Sequence, residues 1–334
     1  MKVGLLGAGM IVHDLLSFAG EVSDMELEAI CATPAEETTI QTLAKEYGIK
    51  KCYTDFGEML KNPAIETIYI GVPNHLHYTF TKKALLADKH VICEKPFTSN
   101  DQEAVELAEL ARERELFVLE AVSTRFLPNV LKIKELLPTL GEIKIISANY
   151  SQYSSRYDAF KQGITQPAFD PEKSGGALMD LNIYNINLMV TLFGTTEKVN
   201  YQANIQKGID TSGILTMDYN EFKAVCIAAK DCKAPIVTSI QGDKGCIIIE
   251  DSANVVAKFK LLMNDSSVEK VYELNEGKHR MYHEFAAFCD IIDNRKVTEA
   301  NALMDISLAT MKIQTQARRT ADVFFPSDTN AENK

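Results

Sequence analysis

The chain has 334 residues, 46% of them hydrophobic and 24% charged, with a formal net charge of −11. That length predicts two domains, each able to bury its own core, and the acidic balance argues against nucleic acid and anionic membranes as partners. The opening Met-Lys-Val-Gly-Leu-Leu-Gly is not an apolar signal run with a cleavage site, and no 18-residue apolar stretch follows, so a cytoplasmic protein is expected.

In chain order, Val3–Leu6 reads as an apolar strand and Gly9–Ala19 as a helix. Leu27–Cys31 is a second strand, and Glu36–Tyr47 a helix that Gly48 stops. Asp55 can cap a short helix through Leu60. Thr67–Val72 is a third strand, Leu76–Ala87 a helix and His90–Cys93 a fourth strand. Ser99 with Gln102 makes a capping box for a helix to Arg114, and Phe117–Glu120 is another strand. This β-α-β-α order implies a doubly wound parallel sheet over 1–121.

The pattern changes after residue 121. Gly141–Tyr153 reads as a long strand and Gly175–Leu192 as a helix. Residues 197–274 hold several strands joined by short turns, such as Gly242-Asp243-Lys244-Gly245. Met281–Asp293 and Thr298–Ala321 return to helix. Residues 122–326 thus read as an α+β domain with a mostly antiparallel open sheet, its last helices able to return to the first domain. A polar, frayed tail follows at 327–334. The seven cysteines are scattered, without Cys-x-x-Cys, and are expected as free thiols with no metal site.

Three places carry chemistry. Gly7-Ala8-Gly9 stands where the first strand turns into a helix. Gly7 permits the tight turn. Gly9 lets the backbone approach a pyrophosphate at the helix N-terminus, beside Met10 and Ile11. Val12 stands where the usual fingerprint has a third glycine. The second strand ends in Cys31-Ala32-Thr33-Pro34, which offers neither the acid common in NAD enzymes nor the Arg common in NADP enzymes. Thr33 can hydrogen-bond either ribose, so NAD(P) is expected, with a slight preference for NADP. Lys95, in Glu94-Lys95-Pro96, follows an apolar strand. Asp180 and Tyr184 are spaced to share one helix face.

These motifs, with Pro73-Asn74-His75-Leu76-His77, Arg125-Phe126-x-Pro128 and Gly175-Gly176-x-x-x-Asp180-x-x-x-Tyr184, resemble the glucose–fructose oxidoreductase, inositol dehydrogenase and rhizopine-catabolism (Gfo/Idh/MocA) family along most of the chain. The resemblance implies an N-terminal Rossmann domain and a C-terminal α/β domain whose open sheet carries a homodimer, or dimer-of-dimers, contact. It implies that Lys95 lies beside the nicotinamide and the substrate oxygen, and that Asp180 helps hold the substrate. Tyr184 stands where inositol dehydrogenases often have His, which looks more like the dihydrodiol, xylose and glucose–fructose branch. Pro73, Asn74, His77, Glu94 and Arg125 are expected along the cofactor, His77 near its edge and Glu94 orienting the loop.

The residues support the same chemistry directly. A free tyrosine, with a pKa near ~10, is a poor base at neutral pH, and a neighbouring ammonium such as that of Lys95 favours its phenolate. Lys95, Tyr184 and Asp180 are therefore the expected catalytic set. The expected activity is hydride transfer between NAD(P) and a secondary alcohol or ketone of a sugar, polyol or cyclic diol. The alternative is a non-catalytic NAD(P)-binding sensor, which would need the glycine turn but not Lys95 with Tyr184.

Overall fold

Six short strands in the first 121 residues form one parallel sheet. They are β1 (Lys2–Leu6), β2 (Glu26–Cys31), β3 (Lys51–Tyr53), β4 (Thr67–Ile70), β5 (His90–Glu94) and β6 (Val118–Ala121), in spatial order β3-β2-β1-β4-β5-β6. Helices α1 (Met10–Ala19), α2 (Glu37–Tyr47), α3 (Phe56–Leu60), α4 (His77–Leu86) and α5 (Asp101–Glu113) make the crossovers. β4 and β6 are buried at every residue, as strands covered on both faces must be. The order reverses between β1 and β4. Doubly wound sheets bind their ligands at such a switch point, beyond the carboxyl ends of the strands.

The structure, a computed structural model, describes residues 1–329. Two compact units divide the chain: Met1–Ala121 with Met281–Leu308, and Val122–Arg280 with the chain from Ala309 onward. In the second unit α6 (Pro128–Leu136) leads to β7 (Ile143–Ser151), α7 (Tyr157–Lys161) and α8 (Ile183–Phe193). Strands β8 (Lys198–Gln206), β9 (Ile209–Asp218), β10 (Lys223–Ala229), β11 (Val237–Gly242), β12 (Gly245–Ile249), β13 (Phe259–Met263) and β14 (Lys270–Tyr272) follow. The sheet order is β14-β13-β12-β11-β7-β10-β9-β8, antiparallel except where β10 runs parallel to β7. Helix α9 (Tyr282–Asp293) belongs to the first unit, and α10 (Val297–Thr320) is divided between the two. Among the described residues no helix is long and apolar enough to cross a membrane.

Three local expectations are corrected. The cap of α5 falls one residue later than Ser99. Asn100 accepts from the Glu103 backbone N–H at 2.9 Å, and the Glu103 carboxylate accepts from Ser99 N–H at 3.0 Å. Glu103 stands at the third helical position after that cap, where Gln102 does not, and its carboxylate reaches back to the residue before the cap. The continuous helix expected over 175–192 begins instead as a π-helical turn, Leu178–Asn182, ahead of α8. Gly176, at φ +103°, cannot continue a helix, and the Gln314 side chain donates to the Leu178 carbonyl at 3.2 Å. The fraying expected from 327 does not hold at its start. Pro326–Thr329 form a helical turn, α11, in which Asp328 takes two bonds from the buried Arg318 guanidinium, at 2.8 and 3.1 Å. The remainder of that tail, 330–334, lies outside the described residues.

Candidate active site

In the first unit the expected residues gather at the carboxyl ends of β1, β4 and β5. Gly7 takes φ +119°, and a Cβ there would stand 2.3 Å from the Gly71 carbonyl oxygen. The turn is tied on both sides: Gly7 N–H donates to Cys31 O at 2.8 Å, and Gly71 N–H to Leu6 O at 2.9 Å. Val12, in place of the third glycine, is buried, and Gly71 makes room for it: a Cβ on Gly71 would stand 3.0 Å from Val12 Cγ2.

Gly9 is different. Its φ of −79° suits any residue, and a Cβ there would meet nothing within 4 Å. The fold therefore does not require glycine at this position, but a ligand at the start of α1 would. That helix begins without a side-chain cap and without an acid in its first turn; Val12 N–H turns back to Gly9 O at 3.0 Å, which leaves the N–H groups of Met10 and Ile11 as those suited to an anion. Met10 and Ile11 open the helix, with Met10 72% exposed. These features fit a dinucleotide pyrophosphate.

Thr33 is engaged otherwise than expected. Its hydroxyl donates to Glu36 Oε2 at 2.6 Å and its N–H to the same oxygen at 3.2 Å. The connection after β2 therefore does hold an acid, one that the tetrapeptide 31–34 does not reveal.

Lys95 rides on a braced loop. Glu94, buried at the end of β5, accepts from the Tyr69 hydroxyl at 2.8 Å and from Lys95 N–H at 3.3 Å. The next turn is held by Phe97 N–H donating to Glu120 Oε1 at 3.0 Å. His77, buried at the start of α4, bridges two loops: Nδ1 lies 2.8 Å from Pro96 O and Nε2 2.9 Å from Val72 O. Burial lowers the His77 pKa, against the two carbonyls that favour the charged ring. His77 is thus a brace linking the Pro73-Asn74 loop to the lysine loop. Glu94 orients the lysine loop, while Glu120, also buried, is a support that no motif announced.

In the second unit Asp180 sits in the π turn, and Tyr184 is in the first turn of α8. A π turn at such a place is often tied to function. Tyr184 is 8% exposed, its ring centroid 6.1 Å from that of Tyr150. Arg125, buried, donates from Nε at 2.9 Å and from its terminal nitrogen at 2.6 Å to Asn187 Oδ1, on the same helix as Tyr184. Asn182 and Asn185 donate to Cys226 O and Ile227 O, each at 3.1 Å, and so pin this helix to β10.

Two further residues hold the π turn. Asp210, fully buried, accepts from Leu178 N–H at 2.7 Å and from the Tyr201 hydroxyl at 2.8 Å. Burial outweighs those two donors and the charge of Lys230 and pushes its carboxyl up to about 6. A Cβ on Gly176 would stand 2.0 Å from Asp210 Oδ1, and one on Gly175 2.6 Å from Pro167 O. The Gly-Gly pair thus makes room for a carboxylate and a neighbouring backbone. Lys230, just past β10, reaches Asp180 Oδ2 at 2.7 Å. Among the described residues no group of three His, Cys, Asp or Glu side chains can hold a metal ion.

Comparison with known proteins matches residues 1–121 to the oxidoreductase family with an NAD-binding Rossmann fold (GFO/IDH/MocA), and residues 130–248 to that family's C-terminal domain. The chain is 31% identical to the scyllo-inositol 2-dehydrogenase (NADP(+)) IolU of Bacillus subtilis, over 98% of this chain and 99% of that one. It is 24% identical to the trans-1,2-dihydrobenzene-1,2-diol dehydrogenase of Mus musculus, over 98% and 99%. In fold it resembles a 3-ketoreductase from Actinomadura kijaniata solved with NADP and TDP-benzene, with a TM-score of 0.82 at 19% identity over 98% and 99% of the two chains.

Proposed function

The chain belongs to the GFO/IDH/MocA oxidoreductase family and is an NAD(P)-dependent member of it, and we propose that it moves a hydride between NAD(P) and a secondary alcohol or ketone of a sugar, polyol or cyclic diol. The observation that carries this reading is the match along almost the whole chain to a dehydrogenase of a cyclic polyol, in a chain that holds Lys95 on a braced loop at a strand end. When bound, the nicotinamide supplies the carbon that takes or gives the hydride. The remaining work falls to the chain. The Gly7–Gly9 turn and the start of α1 hold the pyrophosphate. The Lys95 ammonium polarises the substrate oxygen, Tyr184 Oη moves its proton, and Asp180 accepts a hydrogen bond from a neighbouring hydroxyl.

NADP is the proposed preferred cofactor, since the bacterial relative is named for it. The Glu36 carboxylate opposes a 2′-phosphate, but two of its acceptor positions are already spent on Thr33. A cytoplasmic location suits this cofactor. The test is absorbance at the reduced-nicotinamide band with NADP or NAD and a panel of scyllo-inositol, myo-inositol, xylose, glucose and trans-cyclohexane-1,2-diol. Turnover of a panel member, faster with NADP, is expected. Tight cofactor binding without any turnover would favour a sensor instead.

Gly9→Val gives a sharper check on the cofactor turn. Because a Cβ at 9 meets no protein atom within 4 Å and the backbone there suits any residue, the variant should fold with a nearly unchanged melting temperature. It should nevertheless lose NADPH binding by at least about 100-fold in a fluorescence titration, the scale of a lost well-placed anion contact of roughly 3 kcal/mol. Retained affinity would move the pyrophosphate away from this turn.

The exposed face of the second unit's sheet is proposed as the surface between two copies. Ile145 and Ile214 are 51% and 43% exposed, and Val225, Ile227, Val237 and Ile248 point the same way along the register. These apolar side chains share the face with Ser147, Asn149 and Ser239, and exposed apolar side chains grouped in this way mark an interface. Sedimentation should give a dimer or larger assembly for the parent and a monomer for Ile145→Arg. A monomeric parent would rule the proposal out.

A further inference from the structure

Lys230 is not part of any motif, yet it is among the most deeply buried cations of the chain, its side chain 2% exposed. An ammonium is held there only if its charge and donors are satisfied. One donor goes to Asp180 Oδ2 at 2.7 Å and another to Ala168 O at 2.7 Å, while the Phe169 ring lies 4.6 Å away. Its backbone N–H donates to Thr211 O at 2.8 Å, so the lysine grows from a fixed point at the end of β10. The carboxylate it meets is not buried to the same degree: the Asp180 side chain is 31% exposed. The lysine therefore approaches Asp180 from the protein side and leaves the pair reachable from outside.

We propose that Lys230 is a positioning residue for hydride transfer, acting through Asp180. The inference rests on the reading of Asp180 as the substrate-holding acid. A carboxylate on a π turn, partly open to water, can rotate about its side-chain bonds. A buried ammonium bonded to Oδ2 selects one rotamer. It also balances the charge, so that the pair presents a neutral polyol with an acceptor rather than a net negative field. The Ala168 carbonyl helps anchor the ammonium, and Gly176 N–H donates to that same carbonyl at 3.2 Å. The loop at 167–169, the end of β10 and the π turn are thereby locked around one nitrogen.

Four full-length proteins test this: the parent, Lys230→Gln, Asp180→Asn and the double variant, assayed with NADPH or NADP and the panel member of highest turnover. Each single change should lower kcat/KM by about 10- to 100-fold, the usual effect of a small misplacement at a reacting centre, with NADPH affinity unchanged. The double variant should be no worse than Asp180→Asn by more than about threefold, because residues that act as a unit are not additive. A thermal-melting cycle on the same four proteins reads the pair without any substrate and should show the same coupling. The proposal falls if Lys230→Gln keeps full turnover, or if it costs the same factor with and without Asp180. An impaired Asp180→Asn beside a fully active Lys230→Gln would sink the lysine's role alone. A fully active Asp180→Asn would instead sink the reading of the site. Lys230→Met is the reserve variant. If neither Lys230 variant folds by circular dichroism, the lysine is a structural pin and the proposal is overturned.

Discussion

Lys95→Met is expected to lower kcat by about 10²–10³-fold, the cost of removing one well-placed electrostatic stabiliser, while NADPH affinity changes by less than about twofold. The argument starts from where the sheet puts the residue. Lys95 follows β5 at the carboxyl edge that also carries the Gly7–Gly9 turn, where doubly wound sheets place their ligands. A lysine that merely followed a strand would need no fixed loop. This one has Glu94, His77 and Glu120 holding the backbone around it, all three buried. Methionine matches the length of the stem and keeps its packing, so only the charge is lost. Circular dichroism and the melting temperature should be unchanged, and the loss should fall on kcat rather than on cofactor binding. Near-normal turnover would make Lys95 a bystander on a loop built for another reason.

Much of the first unit is legible because its signals are local. Alternating apolar runs and helical segments give the parallel order directly, and Asp55 and Gly48 mark ends that the structure keeps: Asp55 accepts from Glu58 N–H, and Gly48 closes α2 at φ +69°. The strand β3 is missed because Lys51-Cys52-Tyr53 is three residues long with two of them exposed, so it has no apolar run to read. The cap of α5 is misplaced by one residue because Ser99 and Asn100 are both good caps, and only the position of Glu103 decides between them.

The site is legible only where its residues sit in short motifs. Glu94-Lys95-Pro96 and Asp180-x-x-x-Tyr184 stand out along the chain. Lys230 and Asp210 do not, because each meets its partner across a long stretch of sequence: 50 residues separate Lys230 from Asp180, and 32 separate Asp210 from Leu178. In sequence Lys230 stands beside Asp231 after an apolar run, and Asp210 comes soon after Lys207-Gly208, so both look like ordinary solvated charges. Burial inverts that reading. A charge inside needs a purpose or a partner, and both are visible only once β9, β10 and the π turn are brought together. The π turn itself is invisible to spacing, since it depends on the Gly176 conformation and on a side-chain bond from Gln314.

Tyr184→Phe should cost about 10²–10⁴-fold in kcat, the usual contribution of a positioned general acid or base. Oxidising a carbinol requires a group that takes the hydroxyl proton as the hydride leaves, and ketone reduction requires the same group to return it. Tyr184 is the phenol of the Asp180-x-x-x-Tyr184 motif, on a helix that Arg125 and Asn185 fasten to the rest of its unit. Its ring is buried beside Tyr150, so the packing of the substituted ring should survive when only the hydroxyl is removed. The melting temperature and NADPH affinity should therefore match the parent. The pH profile of kcat should lose the limb set by the phenol, because the remaining turnover would draw its proton from water. A structural tyrosine would behave in the opposite way, lowering the melting temperature and leaving the pH profile of the surviving fraction unchanged. Full activity with an unaltered pH profile would assign the proton to Lys95 or to a bound water and reduce Tyr184 to packing.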